Sequence, residues 1–167
     1  MADGIRQLID ALQEELLRQQ EMARLLEGKL DAMRRYDMPR LEALNLAEQR
    51  LLRGVQASER KRRQAARLAR EQLWPRQRRE GATARQIADA APEPARTELL
   101  ELTGLLRETC QKVQRLARVT SQATSKILGH IDHIFRVVAQ SGREIGLYGR
   151  MGKTTLLEQN RLVDALA

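Results

Sequence analysis

Two long stretches of the chain carry apolar residues at alternating steps of three and four, and this spacing constrains the fold more than anything else in the sequence. The first runs Ile5, Ile9, Leu12, Leu16, Gln19, Ala23, Leu26, Leu30 and Met33. The last runs Leu99, Leu102, Leu106, Thr109, Val113, Leu116, Thr120, Ala123, Ile127, Ile131, Ile134 and Val138. A shorter and weaker run, Leu41, Leu44, Ala47, Leu51, Val55 and Ser58, continues to Ala65 and Leu68, with Arg62 in a seam-like position. A mean spacing of 3.5 places one seam along one side of a helix, and such a seam needs another helix over it. The expected fold is therefore all-α: an elongated bundle of three long antiparallel helices with coiled-coil packing. With one Trp, one Phe and two Tyr in 167 residues, the core is built on Leu, Ile, Val and Ala, which suffices for a bundle.

Punctuation sets the boundaries. Helices are expected over about 3–35, 38–74 and 94–141, joined by a linker over 75–93, so that 1–141 forms the bundle. Asp37 can cap the second helix, with Pro39 tolerated in its first turn. Trp74-Pro75 ends it. Thr83 can cap a short linker helix over 83–90, and Ala91-Pro92-Glu93-Pro94 makes a stiff spacer. Gly142, Gly146, Gly149 and Gly152 punctuate a C-terminal tail over 142–167, flexible or forming a short last helix.

Several features bound the function. The lone Cys110 allows no intrachain disulfide, and nothing argues for an oxidising compartment. No apolar run reaches the roughly 18 residues of a membrane span, and the acidic, amphipathic start does not resemble a secretion signal. A cytoplasmic location without membrane insertion is expected. The net charge of +8 is local: between Arg60 and Arg79 stand nine bases and one acid, and the remainder is neutral. Arg60, Lys61, Arg62, Arg63, Arg67 and Arg70 form the helical part of this basic patch. Clustered Arg can neutralise phosphates, but single-strand binders add aromatic platforms and only Trp74 is near, so a solvated face or an acidic protein partner is favoured over nucleic acid.

Three tempting motifs are read plainly. Gly149 to Thr154 resembles the end of a phosphate-binding loop but lacks the upstream Gly and the preceding strand. His130 and His133 stand three apart with no further ligand poised to complete a metal site. No base accompanies Cys110. Neither an enzyme nor a cofactor is expected.

The order of elements, together with Leu30-Asp31-Ala32-Met33 through Asp37, Leu41-Glu42-Ala43-Leu44, Glu59 to Arg63, Ile87 with Pro92-Glu93-Pro94, Leu99 to Leu106, Gly146-Leu147-Tyr148-Gly149 and Arg161 to Ala165, resembles the FlgN-type flagellar export chaperones. The family often carries Asn in the middle of its last long helix, where this chain reads Thr120-Ser121-Gln122-Ala123-Thr124. The resemblance implies a cytoplasmic type III export chaperone. Its partners would be the hook–filament junction proteins, whose apolar C-terminal helices it masks, and the flagellar export gate or ATPase complex. Tyr148 matches the tail tyrosine associated with gate docking. The apolar stripe of Leu128, Ile131, Ile134, Phe135 and Val138 is wider than one neighbouring helix needs and is the expected cargo surface. A homo-oligomer could use the same stripe. Two other classes stay open from the residues alone: a basic coiled-coil stalk or structural subunit of the export apparatus, and a nucleic-acid-associated coiled coil.

Overall fold

The computed structural model describes residues 3–75 and 81–145, with side chains described for 4–75 and 81–140. These residues are almost wholly helical: α1 spans Asp3–Arg34, α2 Met38–Leu73, α3 Ala84–Ala90 and α4 Ala95–Ile145. The chain divides into two compact units, 1–123 and 124–167. Helix α4 continues through Gly142 to Ile145, past the end expected at 141; the rest of the expected tail lies outside the described residues.

In the first unit, α1 is the central element. Its buried positions include Ile5, Leu8, Ile9, Leu12, Leu16, Met22, Ala23, Leu25, Leu26 and Ala32. They cover a face wide enough for more than one neighbour. On one side lies α2, and three ion pairs fix its direction. Glu14 meets Lys61 at 3.1 Å, Glu15 meets Arg62 at 2.6 Å, and Lys29 meets Glu48 at 2.6 Å. From Glu14 and Glu15 to Lys29 along α1 the α2 partner number falls from 61 and 62 to 48, so the two helices are antiparallel. Contacts from α4 run the other way. Gln13 Nε2 donates to Glu98 Oε1 at 3.1 Å, and Lys112 Nζ stands 2.8 Å from Glu27. Both numbers rise together, so this part of α4 runs in the same direction as α1.

The turn between α1 and α2 is built from two signals. The Asp37 amide donates to the Ala32 carbonyl and the Tyr36 amide to the Met33 carbonyl, the paired bonds that close a helix through a left-handed residue. That residue is Tyr36, at φ 55°. Asp37 then caps α2, its carboxylate accepting from the Arg40 amide at 3.1 Å, with Pro39 in the first turn. After Val55 the inner face of α2 is made of small residues, Ser58, Ala65 and Ala69, all buried. Small side chains let the helices approach closely. A Cβ added to Gly4 would stand 2.9 Å from backbone atoms of both Leu68 and Ala69.

The short α3 opens on a reciprocal cap: the Thr83 hydroxyl accepts from the Gln86 amide at 3.3 Å, and Gln86 Oε1 accepts from the Thr83 amide at 2.9 Å. Two bonds satisfy donors that a seven-residue helix would otherwise leave open. Its Ile87 and Ala88 are fully buried in one cluster with Ile5, Leu8, Leu12, Ala69, Leu99 and Leu102. Burying a side chain such as Ile87 or Leu99 contributes about 1.5–3 kcal/mol each. A second cluster joins Met22, Leu25 and Leu26 to Leu51, with Leu44, Val55, Val113 and Leu116 against it. The weak middle seam read in the sequence thus closes a real interface.

Candidate partner-binding surface

The exposure of the apolar repeat changes along the sequence of α4. Leu99, Leu102 and Thr120 are buried, and Leu106, Thr109, Val113, Leu116, Ala123 and Ile127 are half-buried. From Leu128 onward the apolar positions are open: Leu128 at 60%, Ile131 at 43%, Ile134 at 59%, Phe135 at 66% and Val138 at 62% exposure. At 100° per residue these five positions fall within an arc of about 120° and extend about 15 Å along the axis. The arc is one continuous exposed apolar stripe. His133 and Val137 lie on the far side of the helix, and His130 lies at the edge beside Ile134. Arg136 and Asp132, paired at 2.8 Å, lie at its edge. Nothing polar interrupts the stripe.

The basic patch is dispersed by the fold. Lys61 reaches Glu14, and Arg62 turns inward to Glu15. Arg63 pairs with Glu59 and Arg67 with Glu71 along α2 itself. Arg70 Nε donates to the Ala66 carbonyl at 3.2 Å. Of the six patch residues, Arg60 is exposed and takes part in none of these pairs. A run of bases in sequence is thus divided around the helix circumference, with one member serving the interior.

Two titratable groups feel this interface. Hydrogen bonds from Arg18 and then Lys61 hold the Glu14 carboxyl below its ordinary value. Burial, reinforced by the negative charge of Glu15, pushes the Cys110 thiol up. A thiol held in its protonated form is a small packing residue, not an activated nucleophile. Among the described residues no group of three His, Cys, Asp or Glu side chains converges on a metal position. Likewise no described helix is long and apolar enough to cross a membrane. Tyr148 and the Gly149–Thr154 motif lie outside the described residues.

A family model described as FlgN protein matches residues 1–155. The chain belongs to the FlgN family. Membership makes flagellar export chaperoning its general role, with flagellar proteins as partners. No curated protein and no solved structure matches the chain. The FlgN match takes in all four described helices, the open stripe of α4 and the position of Tyr148. Chaperoning of this kind is binding by surfaces, and the FlgN family is one of chaperones and not of enzymes.

Proposed function

We propose that this FlgN-family protein is a cytoplasmic type III flagellar export chaperone that masks the apolar C-terminal helices of hook–filament junction proteins before their export. The observation that carries the reading is the open stripe Leu128, Ile131, Ile134, Phe135 and Val138. Leaving five large apolar side chains in water on one side of a helix is unfavourable, at about 25 cal/mol for each Å² that a partner could cover. An amphipathic helix laid along the stripe would remove that cost for both partners, which is the helix-in-groove mode of recognition. A cargo helix that is unpaired until assembly carries a matching face. The reaction is reversible burial, with no bond made or broken by the chaperone. The three long helices are read as a bundle of alternating direction, and the residues after Ile145 as a separate tail. Tyr148 in that tail is proposed to dock the chaperone at the export gate or its ATPase complex.

Size-exclusion chromatography with light scattering tests the reading. The wild-type protein is mixed with the C-terminal segment of a junction protein from the same genome. A complex of defined mass is expected, lost in the Ile131→Asp/Phe135→Asp double variant while helicity by circular dichroism is retained. Undiminished binding by the variant would remove the stripe from the cargo site. Tyr148→Ala is expected to weaken gate docking and leave the cargo complex intact.

A further inference from the structure

The outward face of α2 carries a charge pattern that neither the packing of the bundle nor the cargo stripe uses. Arg53, Arg60 and Arg67 stand seven residues apart and so share one line along the helix. All three are exposed, on the side opposite the buried Leu51, Ser58, Ala65 and Ala69. Successive members are about 10 Å apart along the axis. Between residues 46 and 67 the rest of this face is Leu46, Gln49, Gln56, Ala57 and Gln64, all exposed and uncharged, with exposed Arg50 and Arg63 at its flanks; exposed Glu42 and Glu71 stand on the same face at its two ends. The carboxylates near it are already engaged: Glu59 with Arg63, Glu71 with Arg67, and Glu14 and Glu15 with Lys61 and Arg62. Among the described residues no ion pair reaches Arg50, Arg53 or Arg60, whereas Arg67 shares its charge with Glu71 in a pair that is exposed on both sides. A face that only needed to be soluble would intersperse both signs, because a single-sign stripe repels itself.

We propose that this face docks an acidic helix of a second protein, one that presents Asp or Glu at seven-residue intervals. A straight line of charges repeating every seven residues matches the repeat of another helix lying alongside, as flanking charges do in coiled coils. The glutamines between the arginines supply neutral hydrogen-bonding positions, and Ala57 leaves room for a close approach. A nucleic-acid strand is the poorer fit, since the face has no aromatic side chain on which bases could stack. The site lies in the first unit.

Fluorescence anisotropy with a designed helical peptide tests the proposal. The probe is an Ala- and Gln-based helix with Glu on one face at seven-residue spacing. The controls are a peptide of identical composition with its Glu residues distributed around the helix, and a labelled oligothymidine. The full-length protein at low salt is expected to bind the one-faced peptide about tenfold more tightly than the distributed one. The Arg53→Gln/Arg60→Gln/Arg67→Gln variant should lose about tenfold for that peptide, while binding of the junction-protein segment is unchanged. Equal affinity for the two peptides would show undirected charge attraction and overturn the proposal. Tighter binding of oligothymidine than of the one-faced peptide, or a triple variant that binds as wild type, would overturn it as well.

Discussion

Glu15 of α1 and Arg62 of α2 face one another at 2.6 Å, with only 10% and 29% of their side chains exposed. The N–H of Arg62 Nε is not aligned on the carboxylate, so the pair has the proximity of an ion pair without the geometry of a good hydrogen bond. Such pairs set register more than they stabilise, because desolvation offsets the attraction. Removing one partner leaves the other charge stranded. Glu15→Ala is expected to cost about 2–4 kcal/mol in urea unfolding, somewhat below the figure for a fully buried pair. A Glu15→Leu/Arg62→Leu double variant should lie within about 1 kcal/mol of wild type. A double variant less stable than Glu15→Ala would show that the pair itself stabilises the interface.

Tyr36 closes α1 in the left-handed region at φ 55°, and the residue is 84% exposed. A non-glycine residue is strained there by about 1–2 kcal/mol, and the ring gains little in return. Tyr36→Gly relieves the strain, less the extra freedom that glycine has in the unfolded chain. A net gain of up to about 1 kcal/mol in chemical denaturation is expected. A loss would show that the ring packs in solution.

Glycine to alanine should act with opposite sign at two helical positions. A Cβ at Gly4 would sit 2.9 Å from the backbone of Leu68 and Ala69, which cannot retreat without moving α2. Gly4→Ala is expected to destabilise by about 1–3 kcal/mol. At Gly104 a Cβ meets nothing within 4 Å, and the gain in helix propensity should stabilise by about 0.5–1 kcal/mol. Thermal unfolding of the two variants beside wild type checks both signs.

The Glu14 carboxyl is held below its ordinary value of 4.5 by Arg18 and Lys61. A carboxyl whose folded pKa is depressed contributes stability that is complete above the unfolded pKa and is lost as pH falls through the folded one. Stability should therefore decline as pH drops below about 4.5, and the decline should be shallower in Lys61→Gln. Side-chain carbon NMR of Glu14 should show its titration moving toward the ordinary value in that variant. An unmoved midpoint would remove Lys61 as a partner in solution.

Much of this protein was legible as a string. Apolar residues at three-and-four spacing determined the long helices. Asp37 with Pro39, Trp74-Pro75 and Thr83 marked helix ends, because a cap or a proline acts on the few residues beside it. What the string could not decide was which faces meet. Arg62 reads as one more base in a basic run, and nothing local says that Glu15, 47 residues earlier, stands opposite. The same holds for the stripe of α4. Ile127 and Ile131 occupy equivalent places in one repeat, yet one is half-buried and the other open. Periodicity reports that a face is apolar and does not report what covers it. Tertiary packing alone assigned the arginines of α2 to their separate roles, because a helix distributes adjacent residues around its circumference and each then meets a different environment.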